Sequence, residues 1–214
     1  MKRTRHHKKQ TKGKTIILKN IENNFKTYMT CVFMFAVGII GSVIYINNIS
    51  DTQVAEFNRY ITDMVSATQN IDTDLKCLFY DVSTKNLMFS LILWIAGITI
   101  IGLIADYILI LYKGFCIGYT ISALTLTIGR LRTLKIVFTG LLLHNLLIIP
   151  AIFFATTSGM KIIKTVIKNR GKEEIAFEYL RHTIISIFVS LILVIASAIE
   201  VFVSYGLLKY IWKL

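Results

Sequence analysis

The sequence predicts an all-α polytopic membrane protein of about five transmembrane helices, with a short amphipathic helical outer loop. Hydrophobic residues make up 55% of the chain. Its mean hydropathy is +0.64, and several apolar runs reach the roughly 20 residues needed to cross about 30 Å of hydrocarbon. With 214 residues largely committed to spans, no connection is long enough for a separate soluble catalytic domain. Whatever the chain does, it does in or at the bilayer.

Residues 1–27 form a basic arm, beginning MKRTRHHKKQTKGK, and the whole chain carries a net charge of +12. Lysine and arginine gather in cytoplasmic flanks simply to orient a membrane protein. The arm is therefore read as cytoplasmic and attracted to membrane lipids through their anionic headgroups, with no nucleic acid as partner. Residues 28–208 form a single transmembrane domain, followed by a tail, 209–214. The first span, 28–46, carries Gly38 and Ser42 four apart and shows no small-residue cleavage site before Asn47 and Asn48, so it reads as an uncleaved anchor.

The connection 47–85 holds six of the chain's 12 acidic residues against Arg59, Lys76 and Lys85, which places it outside. Ser50 and Gln53 have capping-box spacing, and Val54, Phe57, Ile61 and Met64 recur at helical intervals. That stripe predicts a helix facing either the membrane surface or a partner protein. A second stripe, Leu75, Leu78, Phe79 and Val82, leads into the next span.

Residues 86–128 are apolar apart from Asp106 and the pair Lys113-Gly114. A break at Lys113 divides them into spans 87–112 and 114–128; the second is short enough to leave open whether it crosses or re-enters. Gly97 and Gly102 on the first, and Gly114, Gly118 and Ser122 at four-residue spacing on the second, are candidate helix-packing positions, because small residues let membrane helices approach closely. The connection GRLRTLK leads to span 136–157. A basic cytoplasmic loop, 158–182, follows, and then the last span, 183–208. This arrangement puts about two thirds of the lysines and arginines inside, with Arg130, Arg132 and Lys135 outside.

Ionisable groups within spans cost about 2.5–3.5 kcal/mol on insertion scales, so each is a functional hypothesis. Asp106 lies two helical turns before Lys113 on the same face, and the pair fits a membrane interface. Glu200 has Ala196, Ser197 and Ser204 near its face and should point at another helix. His144 is the natural partner for it, in HNLLIIPAIFF. In that stretch Pro150, the chain's one proline, removes a backbone hydrogen bond and kinks the helix, and Asn145 can satisfy a group set free.

No catalytic constellation assembles from these residues. Ser158 follows His144 by about 21 Å along a helix, out of reach for a nucleophile and its base. There is no HExxH, no paired intramembrane aspartate and no phosphate-cradling glycine loop. The three cysteines, Cys31, Cys77 and Cys116, show neither disulfide nor metal spacing. The sequence thus offers no catalytic, cofactor or metal site and points away from an enzyme. A small membrane permease or proton-coupled transporter subunit remains as an alternative, since buried Asp, His and Glu can relay protons.

Three stretches, LILWIAGITIIGL (Leu91–Leu103), LYKGFCIGYT (Leu111–Thr120) and HNLLIIPAIF (His144–Phe153), in this order and spacing, resemble the stage II sporulation protein M family of endospore-forming bacteria. So do the late glutamate in IEVFVS (Ile199–Ser204) and the capped helix of the outer loop. The resemblance covers roughly Tyr28–Gly206 and leaves out the basic arm. It implies a five-span protein of the mother-cell and septal membrane that acts in engulfment. There it would be a scaffold for stage II sporulation proteins D and P, which carry septal peptidoglycan hydrolase activities. Within the wider family a glycine often follows the histidine and a glutamate stands where this chain has Ile148; here Asn145 and Ile148 depart from that pattern, as the sporulation branch does. Self-association into a homo-oligomer is left open.

Overall fold

A computed structural model describes residues 21–50, 52–59, 74–99, 101–168 and 171–204. The described residues are almost entirely helical and contain no strand. The elements in order are α1 (Phe25–Asn47), a short α2 (52–59), α3 (Leu75–Ile98), α4 (Gly102–Ile128), α5 (Arg130–Ile136), a π-helical turn π1 (Val137–Leu141), α6 (Leu142–Ile167), α7 (Lys172–Ala198) and a second π-helical stretch π2 (Ile199–Ser204).

Four of the resulting rods are long and apolar enough to cross a membrane: α1, most of α4, the continuous Arg130–Ile167 rod, and Lys172–Val203. The fifth long helix, α3, has 24 residues but carries Asp81, Lys85 and Asn86 in its first half, so its apolar part is Leu87–Ile98. The chain is thus an all-α multi-pass membrane protein. For orientation, the end where α1 and α4 begin and α6 stops is termed the Lys164 end. The opposite end, capped by α2, is the Phe57 end.

The helix break lies between Ile98 and Gly102, and the expected break at Lys113 is corrected. Thr99 is extended (φ −106°, ψ 148°), and its Oγ1 accepts a hydrogen bond from Gly102 N at 3.0 Å. A threonine bonding the amide three residues on is an N-cap. Gly102 is glycine because a Cβ there would collide with Ala96 O, so it makes a tight turn rather than a helix–helix contact. Lys113 and Gly114 carry no such chemistry, and α4 runs through them for 27 residues, about 40 Å. Gly114–Ile128 is therefore the second half of one long helix, and neither a separate span nor a re-entrant loop.

Two expected connections are also helical. Arg130–Ile136 of the GRLRTLK connection forms α5, and of the described residues in 158–182 only Lys168 and Gly171 depart from helix, since lysine and glutamate continue a helix readily. The α4–α5 turn is made by Gly129, whose φ of 82° is unfavourable for other residues. Asp74 caps α3 by accepting from Lys76 N at 3.0 Å. Glu173 and Glu174 occupy the first turn of α7, where the helix dipole favours anions.

All five long helices meet in one core. Cys31 (α1), Leu93 (α3), Ile110 (α4), Ile148 and Ile152 (α6), and Val189 and Leu193 (α7) are each at most 2% exposed. Of the predicted capping box one arm forms, with Gln53 Oε1 accepting from Ser50 N at 3.1 Å, while Ser50 Oγ bonds Thr52 Oγ1 at 2.8 Å. Phe57 of α2 is half-buried, and part of its ring packs inside the bundle. Phe57 packs on Leu124 and Ile136 and against the Tyr119 ring, centroids 6.1 Å apart, while Val54 is half-buried. Ile61 and Met64 lie outside the described residues.

Candidate functional site

Gly38, Gly97, Gly114 and Gly118 lie where helices approach closely, against partners the sequence left unnamed. Gly114 and Gly118 of α4 face Gly38 and Ser42 of α1, which runs parallel to it. A Cβ on Gly38 would stand 2.8 Å from Phe115 N and closer still to Leu111 O; one on Gly118 would stand 3.0 Å from Ile39 Cα. Gly114 is held the same way against the Phe35 carbonyl. Ser122, next on the ridge, is half-buried. Gly97 of α3 belongs to a second close approach, not to this ridge. It faces Gly159 of α6, and a Cβ on Gly97 would lie 2.6 Å from the His182 ring of α7. Neither Gly159 nor His182 was singled out from sequence, since one stood in a presumed loop and the other at its edge.

A polar ladder joins α3 to α7, and it too was missed. Asn86 Nδ2 donates to Ser197 Oγ at 2.8 Å, Ser90 and Ser190 share a hydrogen bond of 2.8 Å, and Trp94 Nε1 donates to Thr183 Oγ1 at 3.2 Å. At the Lys164 end Tyr179 donates to Ile98 O at 3.3 Å. The α3 members, Asn86, Ser90, Trp94 and Ile98, recur every four residues. That is one helix face turned toward α7, a signal legible in the sequence had it been sought.

Three ionisable groups, Lys113, His144 and Glu200, gather toward the Phe57 end of the bundle, where π1 and π2 touch. His144 Nε2 lies 3.7 Å from Glu200 Oε2, so the partner expected for Glu200 is in place. The other ring nitrogen, His144 Nδ1, is 3.0 Å from Gly140 O; since a carbonyl only accepts, Nδ1 carries a proton, and Nε2 faces the carboxylate. Asn145 Nδ2 donates to Leu141 O at 2.8 Å and lies 3.1 Å from His144 Nε2. Asn145 therefore satisfies a carbonyl of the π turn, not the group set free by Pro150. Pro150 itself is exposed and lies inside an unbroken α6.

Both π segments border this cluster. A π turn displaces one backbone carbonyl from its regular partner and often marks a functional position. Here the side chains of His144 and Asn145 take up the carbonyls of Gly140 and Leu141. Lys113 is within electrostatic range of both Glu200 and His144, and its Nζ lies 6.0 Å from the Phe89 ring centroid. Lys113 thus lies in the field of Glu200. Asp106 is fully buried near Cys31, and neither carboxylate oxygen has a hydrogen-bond partner among the described residues. Outside the apolar part of α3, the Asp81 carboxylate 2.7 Å from Lys85 Nζ holds that exposed ammonium above its usual pKa.

The arrangement joins helices through two glycine contacts, a hydroxyl ladder and one His–Glu–Lys cluster. Among the described residues no three His, Cys, Asp or Glu side chains converge as metal ligands would. Residues 30–205, which include every one of these features, match the family model of stage II sporulation protein M. The chain belongs to the stage II sporulation protein M family. An uncharacterized protein of Methanocaldococcus jannaschii is 27% identical to it over 187 residues, covering 84% of this chain and 94% of its own length. No solved structure matches. The stage II sporulation protein M match begins within α1 and ends at π2, so the glycine ridge and the His144–Glu200 cluster lie within it and the basic arm does not.

Proposed function

We propose that this protein is a non-enzymatic scaffold of endospore formation. It would hold the septal peptidoglycan hydrolases, stage II sporulation proteins D and P, at the membrane where engulfment begins, with its amino terminus in the cytoplasm. Membership of the family over residues 30–205 carries this reading. The use of the intramembrane polar groups supports it, because His144, Asn145, Asn86 and the serines of the ladder are engaged with neighbouring helices and backbone carbonyls. Such contacts fix helix positions and leave the lipid-facing surfaces as the place for partners.

One such surface is a groove of about 520 Å³ between α3 and α7, bordered by Thr84, Ser90, Thr183, Ser186 and Ser190 together with Leu87 and Trp94. Small hydroxylated positions of this kind suit the approach of another membrane helix. Crosslinking and pull-down of the full-length protein from sporulating cells should recover the two peptidoglycan hydrolases. Recovery of neither, together with solute flux in proteoliposomes that Glu200→Gln abolishes, would replace the scaffold with the transporter.

A further inference from the structure

At the Lys164 end two adjoining hollows of opposite charge lie between the helix ends. The first, about 270 Å³, is lined by Lys161, Lys164, Lys168 and Arg181 with the single carboxylate Glu178, beside Asn23 and Asn24 at the start of α1. Glu178 is ion-paired with Arg181, and Lys164 Nζ reaches Thr27 Oγ1 at 3.4 Å. The second hollow, about 370 Å³, is lined by Glu173, Glu174 and Glu178 with Phe177. Thr165 and Glu178 border both, so the two hollows are adjacent.

Clustered lysines and an arginine between membrane helices form a phosphate site. Carboxylates beside an exposed aromatic ring form an ammonium site, combining charge with cation–π attraction; Phe177 is 64% exposed. Apolar faces run away from both hollows along α1 (Phe25, Met29) and α7 (Leu180, Ile184), all exposed. A ligand matching these features carries a phosphate, a nearby amine and acyl chains. We propose that the paired hollows bind the headgroup of an aminophospholipid, its phosphate among Lys161, Lys164, Lys168 and Arg181 and its primary ammonium among Glu173, Glu174 and Phe177. This site is independent of the scaffold reading, since it uses neither the His144 cluster nor the α3–α7 groove.

The test uses the full-length protein, delipidated in detergent, with bound lipid read by native mass spectrometry and by the thermal unfolding midpoint. Phosphatidylethanolamine should be retained in preference to phosphatidylglycerol, which lacks the amine, and to phosphatidylcholine, whose amine has no N–H. The double variant Lys164→Gln/Lys168→Gln should weaken retention by about fivefold per charge removed. Glu173→Gln/Glu174→Gln should erase the preference over phosphatidylglycerol without lowering phosphatidylglycerol binding. All four side chains are exposed, so these variants keep the fold. Arg130→Gln/Arg132→Gln, at the opposite end, should change nothing. Equal or better binding of phosphatidylglycerol, or equal loss from the Arg130/Arg132 control, would overturn the proposal. Saturable binding of soluble phosphoethanolamine that displaces the lipid would overturn the lipid as the ligand's source.

Discussion

Two glycines three residues apart on α1 should respond in opposite ways to the same methyl group. At Gly38 a Cβ would fall 2.8 Å from Phe115 N, and nearer still to Leu111 O, whereas at Gly41 nothing lies within 4 Å. Both opposing atoms are backbone, so no side chain can rotate aside, and α1 and α4 must part by more than about 0.6 Å to regain ordinary contact; a gap of this size forfeits a quarter or more of each dispersion contact. Overpacking of this kind costs about 1–3 kcal/mol. Gly41→Ala loses nothing and gains up to about 1 kcal/mol of helix propensity, less if the helix persists in the membrane-inserted unfolded state. Thermal unfolding in detergent, followed by tryptophan fluorescence or by scattering, should show Gly38→Ala lowered and Gly41→Ala unchanged or raised. By the scaling of soluble domains of similar length, the fall is about 2–4 °C per kcal/mol. Equal midpoints for the two variants would refute the close α1–α4 contact and the parallel register built on it.

At the second close approach, Gly159→Ala should also destabilise, because its Cβ would stand 2.8 Å from Gly97 Cα; a midpoint equal to wild type would contradict the α3–α6 contact. His144→Ala should lower the amount of folded protein in membranes by removing the partner of Gly140 O and Glu200, a loss of about 1–3 kcal/mol. Glu200→Gln keeps a hydrogen-bonding group at the same place and should cost less, so equal losses would show that charge, not hydrogen bonding, holds the cluster. Asp106→Asn replaces an unpartnered buried carboxyl by a permanently neutral isostere and should raise the unfolding midpoint, since an unpartnered carboxyl in the interior is costly whether it stays charged or must take up a proton. A lowered midpoint would mean that the carboxyl has a partner which matters to the fold.

Element type and the small-residue positions were legible in the sequence because each rests on a local rule. Apolar runs long enough for a bilayer and four-residue spacing of glycine and serine need no knowledge of what lies opposite. The break at Lys113 failed because a lysine was treated as punctuation. A long helix tolerates lysine when its stem lies along apolar surface and its charge meets a carboxylate, and Glu200 lies 87 positions away in sequence. The true break was written in ITIIG, where Thr99 can cap and Gly102 can pass under Ala96 O. Phe57 differs: its helix rests on local periodicity, but its contacts with Tyr119, Leu124 and Ile136 join residues that only the fold brings near.

The HNLLIIPAIFF stretch shows why a costly residue in an apolar segment need not be a reactive one. A π turn leaves backbone carbonyls without regular partners, and in a membrane each such group costs several kcal/mol unless satisfied. His144 and Asn145 follow Gly140 and Leu141 by four residues, the spacing that lets a side chain reach back along its own helix to those carbonyls. Their polarity is then a consequence of the turn before them. The second ring nitrogen of His144 faces both Asn145 Nδ2, at 3.1 Å, and the Glu200 carboxylate, at 3.7 Å, and π2 places that carboxylate in the field of Lys113 as well. The side chains that satisfy π1 come from α6, and one of them, His144, also meets Glu200 of π2, so the α6–α7 register is fixed at one point by chemistry that apolar packing alone does not supply. For a protein whose task is to hold other proteins in place, a fixed register in the bilayer is the property that a polar cluster at this position provides.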